Sequence, residues 1–237
     1  MSISKAQIKR IRSFQQKKFR NEEQVFVIEG RKSVEEALQY KKWLLDCFTT
    51  DAAFSERFQV ALIEEKDMAQ ISSMATPPGY LAVLKQPQFR WPAEPKRICI
   101  ANDLSDPGNL GTLMRTAEWF GVEAIVVDEE TADVYNPKTV QATMGSIFRM
   151  PVLRGSRAEI IRYCKQEQLA ILVADMQGEN LYEFAPPTAW ALVIGSESHG
   201  VHNDFREAAT SAIHIPSKGK AESLNATIAA GIILSHL

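Results

Sequence analysis

The chain has 237 residues, 45% hydrophobic and 24% charged, enough to bury one large core or two modest ones. A net charge of −2 and a pI near 6.1 exclude the global positive field that would announce a nucleic-acid partner unaided. No run approaches the roughly 18 apolar residues of a membrane span, and the polar, basic N-terminus has no secretory apolar stretch. Cys47, Cys99 and Cys164 are odd in number and scattered through apolar segments. The expectation is a cytoplasmic protein with reduced core cysteines, no metal site and no membrane association.

Ser4 is a candidate helix N-cap, and Ile8, Ile11 and Phe14 recur at helical spacing, so the first segment predicts an amphipathic helix. Lys5, Lys9, Arg10, Arg12, Lys17, Lys18 and Arg20 all precede the first acidic residue, Glu22. Such a cluster suits a phosphate backbone and equally a solvated helix face. Alternation then begins: a strand at 24–30, a helix at 31–43, strands at 44–50 and 60–65, a short helix at 67–74 and a strand at 79–86, together a small α/β layer.

Three prolines in QPQFRWPAEPKR (86–97) mark a linker, giving predicted domains 1–90 and 97–237. Beyond it RICIAND (97–103), EAIVVD (123–128), ILVAD (171–175) and WALVIG (190–195) read as buried, parallel strands. Helical segments such as TLMRTAEWF (112–120) and AEIIRYCKQ (158–166) separate them. The fold class is therefore α/β, a small N-terminal layer domain followed by a mostly parallel sheet.

Three places in this second half are polar or glycine-rich where a strand meets a helix, the position at which open α/β sheets bind ligands. In NDLSDPGNLGTLMRTAEWFG (102–121) a helix starts and carries Arg115 early. A cation in the first turns opposes the helix dipole, which suggests service to an anion. In LVIGSESHG (192–200) a strand ends at Gly195 ahead of Glu197, where backbone can approach a ligand. In HIPSKGKAESLNATIAAGIIL (214–234) a strand ends at Pro216 and Ser223-Leu224-Asn225 opens an apolar helix. Each alone is also compatible with an ordinary turn or cap.

In this order, DPGNLGTLMRTAEWFG, IGSESHG and IPSKGKAESLNATIAAG resemble the three motifs of the SpoU, or TrmH-like, RNA ribose methyltransferases of the SPOUT class, over about 97–237. FRNEEQVFVIEGRKSVEEAL (19–38) is similar to the small L30e-like substrate-binding domain that precedes the catalytic domain in many members. The resemblance implies a deep trefoil knot, an S-adenosylmethionine pocket and methyl transfer to a ribose 2′-hydroxyl of rRNA or tRNA. It further implies a homodimer. Matched by position, Thr143, Met144, Gly145, Ile194, Gly195, Ile215 and Leu224 would line the cofactor pocket. Asn109, Arg115, Glu197, Ser223 and Asn225 would form the polar active-site set, with RNA on the basic N-terminal cluster. One departure is the serine after glycine in MGSIFRMP (144–151), where many relatives carry alanine.

The residues leave the role of Arg115 open. A guanidinium titrates above about 12 and is a poor base, which favours gripping a phosphate and stabilising an alkoxide. Two rival functions are a dinucleotide-binding enzyme and a non-catalytic RNA-binding or ribosome-assembly protein. PGNLGTL lacks the G-x-G-x-x-G spacing of the first. The intact polar set argues against the second.

Overall fold

A computed structural model describes residues 3–237 and resolves them into two compact units. One extends to Gln88 and takes in Tyr135–Phe148; the other holds Phe89–Val134 and Arg149–Leu237.

The first unit opens with α1 (Lys5–Ser13). The Ser4 hydroxyl accepts from the Gln7 amide, and the Gln7 side chain accepts from the Ser4 amide, closing a capping box. There follow α2 (Lys17–Glu23), β1 (Val25–Glu29), α3 (Arg31–Ala37), β2 (Leu44–Thr49), α4 (Ala52–Phe58), β3 (Ala61–Leu62), α5 (Glu65–Ile71) and β4 (Tyr80–Lys85). The strands lie in the order β1-β4-β2-β3, with β4 antiparallel to both neighbours and β3 parallel to β2. Ile11 and Phe14 of the first helix close a core with Val25, Phe48, Met68, Leu81 and Val83.

The helix expected over 31–43 ends at Ala37, and three further differences follow. Residues 60–65 supply only a two-residue strand, because α5 starts at Glu65. The unassigned residues 52–58 form α4, capped by Asp51, whose carboxylate accepts the Phe54 amide at 3.1 Å. Arg20 does not belong to a surface patch: it is 2% exposed, and its Nη1 donates to the Phe14 carbonyl at 2.6 Å, tying the α1–α2 turn from inside.

The second unit begins with β5 (Arg97–Ala101), α6 (Pro107–Trp119) and β6 (Ala124–Val127). The chain then gives α7 (Pro137–Ala142) to the first unit. It returns with β7 (Val152–Arg154), α8 (Arg157–Gln166), β8 (Ala170–Asn180), β9 (Trp190–Ile194), α9 (Asn203–Ala208), β10 (Ser211–His214) and α10 (Ala226–Leu234). The excursion is packed, not looped out. Phe148 stacks on Tyr40 with centroids 4.7 Å apart, and Tyr135 lies 5.2 Å from Phe26. The predicted contiguous stretch 97–237 is therefore divided between the two units.

All six strands of the second sheet are parallel, in the order β10-β8-β9-β5-β6-β7. From β5 the chain builds outward through β6 to β7, while β9, β8 and β10 lie on the opposite side of β5. The direction of winding thus reverses between β5 and β9. The crevice beyond their carboxyl ends is the place where such sheets take ligands.

Two helix starts shift relative to the sequence reading. The motif-one helix begins at Pro107, not at 112: Asp106 accepts the Asn109 amide at 2.8 Å, and proline occupies the first turn, where its missing N–H costs nothing. Arg115 therefore sits in the third turn, beyond the reach of the helix N-terminus, and the dipole argument for it lapses. The last helix begins at Ala226, after the Asn225 cap, rather than at Ser223. All three cysteines are buried thiols. Desolvation pushes the pKa of Cys47 up to about 11 and those of Cys99 and Cys164 to about 12, keeping them protonated.

Candidate active site

Three polar segments of the second unit meet at this crevice. The first leaves β5 and enters α6, placing Asn109 in the opening helical turn. The second leaves β9 and doubles back at once: Ser196 and Gly200 exchange backbone bonds of 3.1 and 2.9 Å, so Glu197 stands on a tight loop. Gly200 has φ +68°, and a Cβ on Gly195 would land on the backbone of Gly200 and Val201. Glycine is required at both ends of the loop, at one for its dihedral and at the other for close approach. The third segment ends at Asn225, the cap of α10.

These segments converge on one carboxylate. Asn109 Nδ2 donates to Glu197 Oε1 at 2.9 Å, Asn225 Nδ2 donates to the same oxygen, and Asn225 Nδ2 also lies 3.2 Å from Asn109 Oδ1. Asn225 is held for this task by its capping role. Its Oδ1 accepts from the Thr227 amide at 3.0 Å and the Thr227 hydroxyl at 2.6 Å, which fixes the amide so that its nitrogen faces Glu197. Both donors use Oε1, and Oε2 makes no bond among the described residues.

Beside this cluster lie two cavities, of about 350 and 520 Å³, that share Ala174, Asp175, Met176, Ser223, Leu224 and Ala229. The smaller is walled also by Ile194, Gly195 and Glu197, the larger by Ile215 and Pro216. The volumes, and walls that mix aliphatic side chains with polar ones such as Asp175 and Ser223, suit a nucleoside-sized ligand. Four of the seven proposed cofactor residues, Ile194, Gly195, Ile215 and Leu224, thus line one continuous region.

The other three do not. Thr143, Met144 and Gly145 lie in the first unit and are absent from both cavity walls. Thr143 is fully buried and gives its hydroxyl to the Val140 carbonyl at 2.6 Å, while the Glu36 carboxylate covers the Cα of Gly145. Neither is left open to a ligand in this structure. Arg115 is exposed, lines neither cavity and makes no ion pair among the described residues.

The basic cluster of the first unit is thinner than its sequence suggests. Arg10 pairs with Glu23 at 2.7 Å and Asp46 at 3.6 Å, and Lys18 pairs with Glu22 at 3.9 Å. With Arg20 buried, Lys5, Lys9, Arg12 and Lys17 remain exposed and without acidic partners among the described residues. A further cavity of about 720 Å³ in this unit is lined by Lys41, Arg57, Leu45 and Phe58 but carries none of the motif residues.

Sequence reasoning gave no role to Asn102 and Asp128, both fully buried. The signal was present: each is a polar residue at the carboxyl end of an apolar, parallel strand, facing the ligand edge of the sheet.

Residues 96–235 match the model of the SpoU rRNA Methylase family, and residues 5–82 that of the MRM3-like substrate binding domain. The chain is 30% identical, over all of its length and 97% of the relative's, to a 23S rRNA (guanosine(2553)-2′-O)-methyltransferase of Bacillus subtilis. A structure from Porphyromonas gingivalis, assigned to the TrmH family of RNA methyltransferases, superposes with a TM-score of 0.90 at 32% identity, covering 99% of this chain and 97% of that one. An AdoMet-bound rRNA methyltransferase of Sinorhizobium meliloti gives 0.86 at 27% identity, covering 100% and 96%.

Proposed function

Because the chain belongs to the SpoU rRNA methylase family, we propose that it transfers a methyl group from S-adenosylmethionine to a ribose 2′-hydroxyl of ribosomal RNA. The observation that carries this reading is the Asn109–Glu197–Asn225 cluster, standing at the sheet's switch point beside a nucleoside-sized cavity. Ile194, Gly195, Ile215 and Leu224 would hold the cofactor there. The first unit binds the RNA, with Lys5, Lys9, Arg12 and Lys17 as its free cations, and the second performs the transfer. A ribosomal RNA substrate points to the cytoplasm, and the end of the chain, Ser223–Leu237, is the threaded segment of a trefoil knot.

S-adenosylmethionine supplies an activated methyl on its sulfonium, and the chain's own work is to bind, orient and handle one proton. Glu197 Oε2, the oxygen left vacant by the two amides, accepts the hydrogen bond of the 2′-hydroxyl and takes its proton as the 2′-oxygen bonds the methyl group. The amides on Oε1 keep the carboxylate from turning away. Arg115 grips the phosphate next to the target ribose with its planar fork and stabilises negative charge developing on the 2′-oxygen. Incubation with labelled cofactor and in-vitro-transcribed 23S rRNA is expected to yield a nucleotide whose 3′ linkage resists alkaline cleavage. Label on a base would refute the ribose assignment.

The active form is a homodimer. Ile228 on α10 is 56% exposed, and Leu224, Met176 and Tyr182 are also bare, apolar side chains that a second copy would cover. Light scattering at micromolar concentration is expected to give the mass of two chains, and Ile228→Glu to shift it toward one. A monomeric wild type would remove the dimer.

A further inference from the structure

Two buried side chains in the second unit tie the roots of both candidate catalytic segments together. Asp128 directly follows β6, and Asn102 directly follows the neighbouring β5. Asp128 Oδ2 accepts from Asn102 Nδ2 at 2.6 Å and from Arg157 Nε at 3.2 Å. Its Oδ1 accepts from the Asp103 amide at 3.1 Å and from the Thr131 amide at 3.0 Å. Asp103 is a non-glycine residue at φ +54°, a conformation that persists only where its surroundings enforce it. Thr131 Oγ1 in turn accepts the Leu104 amide at 3.2 Å. The turn from β5 toward Asp106 and Asn109 is thus seated on Asp128 and its neighbour.

The same pair reaches the other segment. Asn102 Oδ1 accepts the His202 amide at 2.7 Å, directly after the Ser196–Gly200 loop that carries Glu197. Arg154 secures the floor, donating to the carbonyls of Asp128, Glu129, Thr131 and Ala132. The arrangement has a direction. A carboxylate at 128 offers only acceptors, which forces Asn102 to present its nitrogen to Asp128 and its oxygen to His202.

We propose that Asp128 is a positioning residue for methyl transfer: by fixing the orientation of Asn102, it sets where Asn109 and Glu197 stand relative to one another. The inference rests on the catalytic reading above. Burial raises the pKa of Asp128, but the bonds from Thr131, Asn102 and Asp103 and the charge of Arg157 outweigh it, so the net shift is downward and the group stays an acceptor at neutral pH.

Asp128→Asn changes one oxygen to an amide nitrogen at nearly constant volume. With the new nitrogen on the Asn102 side, two amide nitrogens face each other and Arg157 loses its acceptor, and turning Asn102 in relief aims its nitrogen at the His202 N–H. With the nitrogen on the other side, the Asp103 and Thr131 amides lose their acceptor and the turn before Asn109 is unseated. The expected result is a kcat on 23S rRNA lowered by about tenfold to a hundredfold, in line with the cost of small misplacements, with KM for S-adenosylmethionine held within about threefold. Hydrogen exchange should rise in peptides covering 196–206 in the first case and 103–109 in the second, while β9 stays protected. The reciprocal double variant, Asn102→Asp with Asp128→Asn, restores acceptors toward His202, Asp103 and Thr131, though not toward Arg157, and is expected to recover part of both kcat and protection. If Asp128→Asn does not fold, Thr131→Val, which removes the Leu104 acceptor and the hydroxyl's bonds to Asp128 Oδ1 and the Ala101 carbonyl but leaves the Asp128–Asn102 bond in place, is expected to lower kcat while leaving exchange at 196–206 unchanged. Unaltered kcat in a folded variant, equal losses in kcat and cofactor affinity, or no recovery in the double variant would each overturn the proposal. A wild-type enzyme that labels no rRNA would instead refute the function, and exchange at 196–206 would still decide whether Asp128 orients Asn102.

Discussion

Arg115→Ala is expected to lower methyl transfer by about a hundredfold to a thousandfold, the usual cost of removing one donor aimed at developing charge, while S-adenosylmethionine affinity stays within about threefold of wild type. The two effects separate because Arg115 lines neither cavity. It stands in the third turn of α6, and helical side chains lean toward the helix N-terminus, which puts its stem on the face of Gly111 and Thr112. Arg115→Lys should also be poor, since an ammonium keeps the charge but not the planar pair of donors that match a phosphate. Initial rates with labelled cofactor, set beside calorimetric titration, check both variants. A lysine variant with most of its activity would show that a point charge suffices, and an alanine variant that no longer binds cofactor would move Arg115 to the other side of the site.

The residues that converge on Glu197 were legible because each lies in a short polar break between a buried strand and a helix, and such breaks stand out against apolar runs. The breaks mark the segments, and the resemblance to the SpoU motifs singles out Asn109 and Asn225 within them, even though the starts of both their helices were misplaced: Asp106-Pro107 and Asn225 are strong capping signals that the hydrophobic periodicity overrode. Asn102 and Asp128 were not found. Each looks like the end of an ordinary strand, and their significance is a bond between residues 26 apart that only the pairing of β5 with β6 creates. Arg20 failed in the opposite sense. Its neighbours in sequence are exposed cations, but helix α2 turns it inward to satisfy a carbonyl, a partner no composition argument sees.

The division of the chain carries the second large effect. Prolines at 87, 92 and 95 suggest that the first 88 residues can be removed cleanly. In the structure, Tyr135–Phe148 belongs with those residues. Phe148, 3% exposed, rests on Tyr40 and Phe26, and Val140, 5% exposed, shares a small cavity with Val27 and Ile28. Excision bares both side chains, forfeiting about 3–6 kcal/mol at the usual value for a fully buried Phe and Val, a large fraction of the stability of a typical domain. A chain comprising residues 89–237 is therefore expected to melt lower by about 10 °C or more and to aggregate. Replacing Val140 and Phe148 with serine in the truncated chain should reduce the aggregation. Cooperative melting of residues 89–237 at the wild-type temperature would mean that 135–148 finds equivalent cover without the N-terminal residues, and the two-unit description would then have to be redrawn at the linker.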